Sequence, residues 1–435
     1  MGLFRKLNYL YQNKFVRKTA TLQAGSFAGN VVQAGIGIII ARLLQPELFG
    51  LYSLAIGMAS MTSLILGMGI QEAVSSLLGR AYARGDKSEV ENILGFMLKI
   101  TFLAALVVIA VSTFLPTIAA RLYSNSLIGV YAAIVAVAAI LSSFLFTLTY
   151  SSFQVAGKVR SLAVLLLSDQ SLRYALSLSF VLLGFGVLGA VSGQLAGATI
   201  IFIACSVFFV KFAKSEPLFP GLGRLIKVAQ GADLKKYFGF TFWVALDRNM
   251  GNVFMALPVI LTGIYVTSSE VSFFKLAFGY TNLALSFLGP ISILLNVEFP
   301  KIQIENQTLL YRNFKKISLY SLAISVLLSI GVAVVSPIVF KFLYGEIYLP
   351  SIKYIFGLIA YGSLFGIGVG LGPMWRAINK VKVSIIINSL ILAGGIPVGL
   401  WLIKNYGLWG SVIMVTVWFS VSHIISFTYL IRKLR

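Results

Sequence analysis

This sequence predicts an all-α polytopic membrane protein, and three observations carry that prediction. Hydrophobic residues make up 58% of the 435 and charged residues only 11%, far from the balance of a soluble globular chain. Apolar runs of about 20 residues, the length that crosses a hydrocarbon core, recur about twelve times. Stretches rich in Lys and Arg alternate with stretches that hold few, as in chains threaded back and forth through a bilayer. Strands of a membrane barrel would be shorter and would alternate polar with apolar residues, and these runs do not.

Taken in order, residues 1–18 set Leu3, Phe4, Leu7, Leu10 and Phe15 against Arg5, Lys6, Lys14 and Arg17. That pattern predicts an interfacial amphipathic helix, without the apolar core of a cleavable signal. Six apolar runs follow, near 20–44, 51–77, 93–115, 127–153, 162–183 and 187–210, and define an N-terminal lobe over 19–210. Residues 211–237 are the longest break. They hold Lys211, Lys214, Arg224, Lys227, Lys235 and Lys236 against Glu216 and Asp233, while Pro217, Pro220 and several glycines prevent one uninterrupted helix. This is a basic cytoplasmic linker. Six more runs, near 238–261, 271–297, 317–340, 352–374, 383–403 and 408–431, form a C-terminal lobe over 238–435. The loop over 80–92 mixes charges at helical spacing and predicts a surface turn followed by a helix start.

The formal net charge of +22 is not a nucleic-acid footprint. Roughly three quarters of the 35 Lys and Arg fall on one side of the expected membrane, which places both termini in the cytoplasm by the positive-inside rule. The single cysteine, Cys205, lies in an apolar run, so no disulfide framework exists.

The two halves resemble each other. The run from Leu51 to Gly57 lies on that from Phe273 to Gly279, and Gly157-Lys158-Val159-Arg160 lies on Asn379-Lys380-Val381-Lys382, both at an offset of 222 residues. A duplicated half with an even number of spans gives parallel repeats, whose interface commonly makes the substrate pathway.

After the first span, the chain reads Ala41-Arg42-Leu43-Leu44-Gln45-Pro46-Glu47-Leu48-Phe49-Gly50-Leu51-Tyr52. Pro46 opens the next helix, Glu47 suits its first turn, and Gly50 permits a close helix contact. This run is similar to the N-terminal signature of polysaccharide biosynthesis and export proteins, the Wzx-type oligosaccharide flippases of the multidrug/oligosaccharidyl-lipid/polysaccharide (MOP) superfamily. Gln154 to Lys158, Leu246-Asp247-Arg248, Phe299-Pro300, Leu343-Tyr344-Gly345 and Asn405 to Gly410 resemble the same family in order and spacing. The resemblance implies a MATE-like pair of six-helix lobes, related by a pseudo-two-fold axis around a central cavity, working as a monomer. It implies a lipid-linked oligosaccharide as cargo, membrane lipids and other glycan assembly proteins as partners, and no enzymatic activity.

Ionisable residues within spans are costly and mark functional positions. Candidates are Glu72, Lys99, Asp169, Arg173, Asp247, Arg248, Lys275, Glu298 and His423. Asp169 and Arg173 stand four apart, on one helix face, and suit an ion pair. Asp247 and Arg248 point about 100° apart and match an Asp-Arg of the family's seventh span. Lys275 and Lys99 read either as cavity cations or as side chains snorkelling to the interface. Glu72 and Glu298 read as partners of nearby basic residues, and His423 as a packing residue. The anionic head of the implied cargo calls for cations, which Arg248, Lys275 and Arg173 would supply. No Walker-type loop is present, so an H+ or Na+ gradient would drive transport, with Asp247 or Asp169 as coupling sites. No metal or other cofactor is expected. Gly366, Gly370 and Pro373, in a glycine-rich span, suit gating or bending. The rival readings are a multidrug exporter or lipid II flippase of the same superfamily and, from another class, a glycan polymerase, which would need a large outer loop that the chain lacks.

Overall fold

The computed structural model describes residues 14–66 and 70–434, and among them every regular element is a helix. The expected interfacial helix lies outside the described residues as far as residue 13. From Lys14, the chain is already in the first long helix, α1 (Lys14–Ser63), which Gln45 interrupts at φ 61°. α2 (Ile70–Ala83), α3 (Lys87–Tyr123) and α4 (Ser126–Leu141) follow. A π turn (Ser142–Phe146) joins α4 to α5 (Thr147–Val155), and a second (Val181–Phe185) separates α6 (Val159–Phe180) from α7 (Gly186–Ser215). α8 (Leu222–Gly231) lies inside the basic linker. α9 (Leu234–Thr262), α10 (Ser268–Leu285), α11 (Gly289–Glu305) and α12 (Gln307–Val339) follow it. Three short helices come next, α13 (Ser351–Gly357), α14 (Ile359–Gly368) and α15 (Leu371–Ala377), then α16 (Val381–Tyr406) and α17 (Leu408–Leu434).

Eight stretches among the described residues are long and apolar enough to cross a membrane, and nine if the bent run 351–377 is one span. Two of the eight, Gly29–Ser63 and Val159–Ser215, are broken by left-handed residues and supply two spans each. α9, long enough but carrying Asp247 and Arg248 near its middle, completes about twelve.

The corners record the duplication more clearly than the sequence does. Ser124 and Gly345, Gly157 and Asn379, and Gly186 and Gly407 all have positive φ, and the members of each pair lie 221 or 222 residues apart. The bonding repeats too. Lys158 N–H donates to Phe153 O at 2.9 Å, and Lys380 N–H donates to Trp375 O at 2.9 Å. Both are the six-to-one bond of a helix ending in a left-handed residue. The loop after α2 turns at Gly85, and Asp86 caps α3 by accepting from Glu89 N–H at 3.0 Å, as its charge pattern predicts.

Contacts divide the chain into two compact units that do not follow the sequence halves residue for residue. Among the described residues, one comprises those up to Leu43, those from Thr62 to Ala120 and Asn125–Ala245; the other, Leu44–Met61, Arg121–Ser124 and those from Leu246 on. The linker belongs to the first. α8 packs Leu225, fully buried, and Ala229 against α3, where Gly95 leaves room for Val228. Arg224 pairs with Glu91 at 2.8 Å. Lys99, read from sequence either as a cavity cation or as snorkelling to the interface, caps α8: its ammonium donates to Gln230 O at 3.1 Å and Ala232 O at 2.9 Å, satisfying carbonyls that a helix end leaves open.

In the second unit, the tight turn at Gln45-Pro46 leads into a helix whose Gly50 meets the start of α10. A Cβ there would stand 1.8 Å from Ser268 O, so only glycine fits. Tyr123 donates to Ile260 O at 3.2 Å, and Gly263 packs on Leu54 and Tyr123. Phe49, Phe273 and Tyr344 surround the fully buried Tyr348.

Candidate functional site

In the first unit, the site is built on the α6–α7 seam. Gly189, Gly193 and Gly197 recur at four-residue spacing on α7, and a Cβ on each would fall within 3 Å of Phe180, Ser177 and Arg173 of α6. The two backbones therefore touch, as small residues allow in apolar surroundings. Gly193→Leu is expected to prevent this contact, since its Cβ would stand 2.3 Å from Ser177 Cα. A loss of the monodisperse folded peak in detergent, with Gly35→Leu (no atom within 4 Å of its Cβ) unaffected, checks it.

The seam fixes Arg173 beside Asp169. The guanidinium hydrogen-bonds Asp169 Oδ2, and Nη1 donates to Ser142 Oγ at 3.3 Å, where the π turn begins. Asp169 is only 6% exposed, and its other oxygen, Oδ1, is buried without a donor among the described residues. One turn along, Gln33 of α1 donates to Tyr174 OH at 2.6 Å, and Gly29 leaves room for the Gln170 side chain. The ion pair that the four-residue spacing implied is therefore formed, with a serine partner that the sequence did not indicate.

In the second unit, Asp247 and Arg248 diverge as adjacent helical residues must. Asp247 Oδ2 lies 3.7 Å from Arg376 Nη2, and Arg376 Nη1 donates to Asn296 Oδ1 at 2.7 Å. Arg376 thus joins α9, α11 and α15, a bridging role that local sequence pattern does not signal. Arg248 is exposed. Lys275, on α10, is half-buried and makes no ion pair or hydrogen bond with a described residue. Seven residues on, along the same face, Asn282 accepts from Tyr361 OH at 2.6 Å.

The glycine-rich span places its residues differently from the gating expectation. Its 47° bend falls at Leu358, where α13 meets α14, and not at Gly366, Gly370 or Pro373. Gly366 is a packing residue: a Cβ would stand 2.2 Å from Ser321 O, and its N–H donates to Ser325 Oγ at 3.2 Å. Ser321, Ser325 and Ser329 make one small, polar face of α12 against α14. Gly370 precedes α15, and Pro373 sits buried in that helix's first turn, where its missing N–H is harmless. His423 packs between Phe365 and Phe419, with Nδ1 3.4 Å from Leu364 O, the packing role expected. Glu298 is exposed, and the Glu72 side chain lies outside the described residues. Among the described residues, no three His, Cys, Asp or Glu side chains gather as a metal site.

The spans and their paired corners define a class: polytopic α-helical membrane proteins of MATE-like fold. A multidrug resistance MATE family transporter of the MOP superfamily in its inward-facing conformation is 16% identical, covers 94% of each chain, and superposes with a TM-score of 0.72. The lipid II flippase MurJ, inward closed, is 18% identical over 94% of this chain and 87% of its own, with a TM-score of 0.67. A MOP superfamily transporter from Pyrococcus furiosus is 17% identical over 96% and 95%, with a TM-score of 0.63. No curated protein matches by sequence. The family model for polysaccharide biosynthesis proteins matches residues 15–303, and the chain belongs to that family. The family is that of polysaccharide biosynthesis proteins, and the fold is the one these transporters and the flippase share.

Proposed function

We propose that the protein is an alternating-access flippase that carries a polyprenyl-(pyro)phosphate-linked oligosaccharide across the cytoplasmic membrane for surface polysaccharide or glycan assembly. Lys275 is the observation that carries this reading. An ammonium half-buried in a span, with no carboxylate among the described residues to neutralise it, is a costly arrangement that an anionic cargo would compensate. Arg248, exposed on α9, adds a second cation, and a guanidinium suits phosphate oxygens. Arg173, the third cation, is held by Asp169. Asp247 and Asp169 are the coupling positions for H+ or Na+, each already engaged by an arginine. Both termini lie in the cytoplasm on this reading, and other glycan assembly proteins are its partners.

Fold likeness alone would fit an exporter of cationic drugs equally well. That chemistry needs carboxylates open to cargo, and the pairing of Asp169 and Asp247 with arginines disfavours it. Proteoliposomes loaded with a fluorescent polyprenyl-pyrophosphate oligosaccharide test the proposal. The protein is expected to raise the rate at which the label becomes accessible on the opposite leaflet. Export of ethidium without movement of the lipid would put the multidrug reading in its place.

A further inference from the structure

We propose that the linker helix α8 and the helix ends beside it form a binding shelf for anionic phospholipid headgroups. α7 ends at Ser215 and α9 begins at Leu234, and α8 lies on the opening turns of α3 between them. It therefore runs at the level where spans end, which is where headgroups lie. One side of α8, with Leu225 and Ala229, is buried; the other presents Lys227, with Ile226, 54% exposed, beside it.

The cations of this region divide into two sets with different partners. Lys158 pairs with Glu216 at 3.5 Å, Arg224 with Glu91 at 2.8 Å, and Lys236 with Glu89 at 2.8 Å. Those three hold the linker to its unit. Asp233 is occupied as well, accepting from Lys235 N–H at 2.9 Å at the start of α9. Lys211, Lys214, Lys227 and Lys235 are all exposed, and their ammonium groups make no ion pair or hydrogen bond with a described residue. The three glutamates are thus paired, while exposed lysines close α7, lie on α8 and open α9, and α8 also carries the exposed Ile226. Phospholipid matches both features, with its phosphate for the lysines and its glycerol and upper acyl region for Ile226. An acidic soluble protein would satisfy the charges but would be an odd match for an apolar residue set at membrane depth.

Full-length protein in lipid nanodiscs, with trace spin-labelled phosphatidylglycerol or phosphatidylcholine, tests this. The probe is the motionally restricted fraction of each label. Wild type is expected to retain phosphatidylglycerol several-fold over phosphatidylcholine at low salt, and the preference should shrink as salt rises. Lys211→Gln/Lys214→Gln/Lys227→Gln/Lys235→Gln should bring the ratio close to one, with each lysine worth up to about fivefold. These side chains support no other contact, so the thermal midpoint should stay where it is. If the fourfold variant misfolds, Lys227→Gln alone should still lower the ratio. A wild type without preference, or a variant that keeps it, overturns the proposal. So does full competition by soluble polyglutamate, which would assign the shelf to an acidic protein.

Discussion

Arg173→Met is expected to lower stability by about 3–5 kcal/mol, because it strands the Asp169 carboxylate in a buried site. Asp169 Oδ1 already lacks a donor, so the guanidinium on Oδ2 is what compensates the charge. The double variant Asp169→Asn/Arg173→Met should recover most of the loss, since a neutral amide does not need the arginine. Thermal unfolding in detergent, followed for the wild type, both single variants and the double, reads the cycle. Equal midpoints for Arg173→Met and wild type would mean the pair holds nothing. If the double variant folds normally and still fails to move lipid, the pair has a transport role besides its structural one.

Lys275→Met should do the opposite: leave stability unchanged or slightly raised while abolishing most transport. An ammonium without a partner among the described residues contributes nothing to the resting fold, and removing it relieves a desolvation cost. Loss of a close charge contact with an anionic headgroup costs about 2–5 kcal/mol, roughly 30-fold to over 1,000-fold in transport. Lys275→Arg should keep part of the activity. The measurement is the translocation assay at matched protein insertion, with thermal midpoints alongside. Wild-type rates in Lys275→Met would remove the central support of the flippase reading.

Much of this molecule is legible in its sequence, and what is not fails for definite reasons. Span number and the duplication follow from hydropathy and from short matched runs, because both are local properties. The Asp169–Arg173 pair was readable because helical geometry alone brings the fourth residue round. Arg376 was not, because its partners Asp247 and Asn296 come from helices remote in the chain. The acceptors of Lys99 were hidden for the same reason: they are the last carbonyls of a helix more than a hundred residues away. The spacing of Gly189, Gly193 and Gly197 was present in the sequence but overshadowed by the denser glycines of 362–372. Glycine density does not distinguish a bend from a close crossing; the atoms a Cβ would strike do.

The exchanged segments bear on how the protein is made. Leu44–Met61 packs within the unit whose remainder begins at Leu246, apart from the short Arg121–Ser124 piece. Gly50 therefore emerges long before the Ser268 carbonyl that it is shaped to meet. At a translation rate of about 5–20 residues per second, that interval is on the order of ten to forty seconds. Throughout it, the second span must wait in the bilayer, inserted but without its final neighbours. Biogenesis of this chain is thus a clasp closed late, and its vulnerable period, when a chaperone or insertase would be most needed, falls before the second half leaves the ribosome.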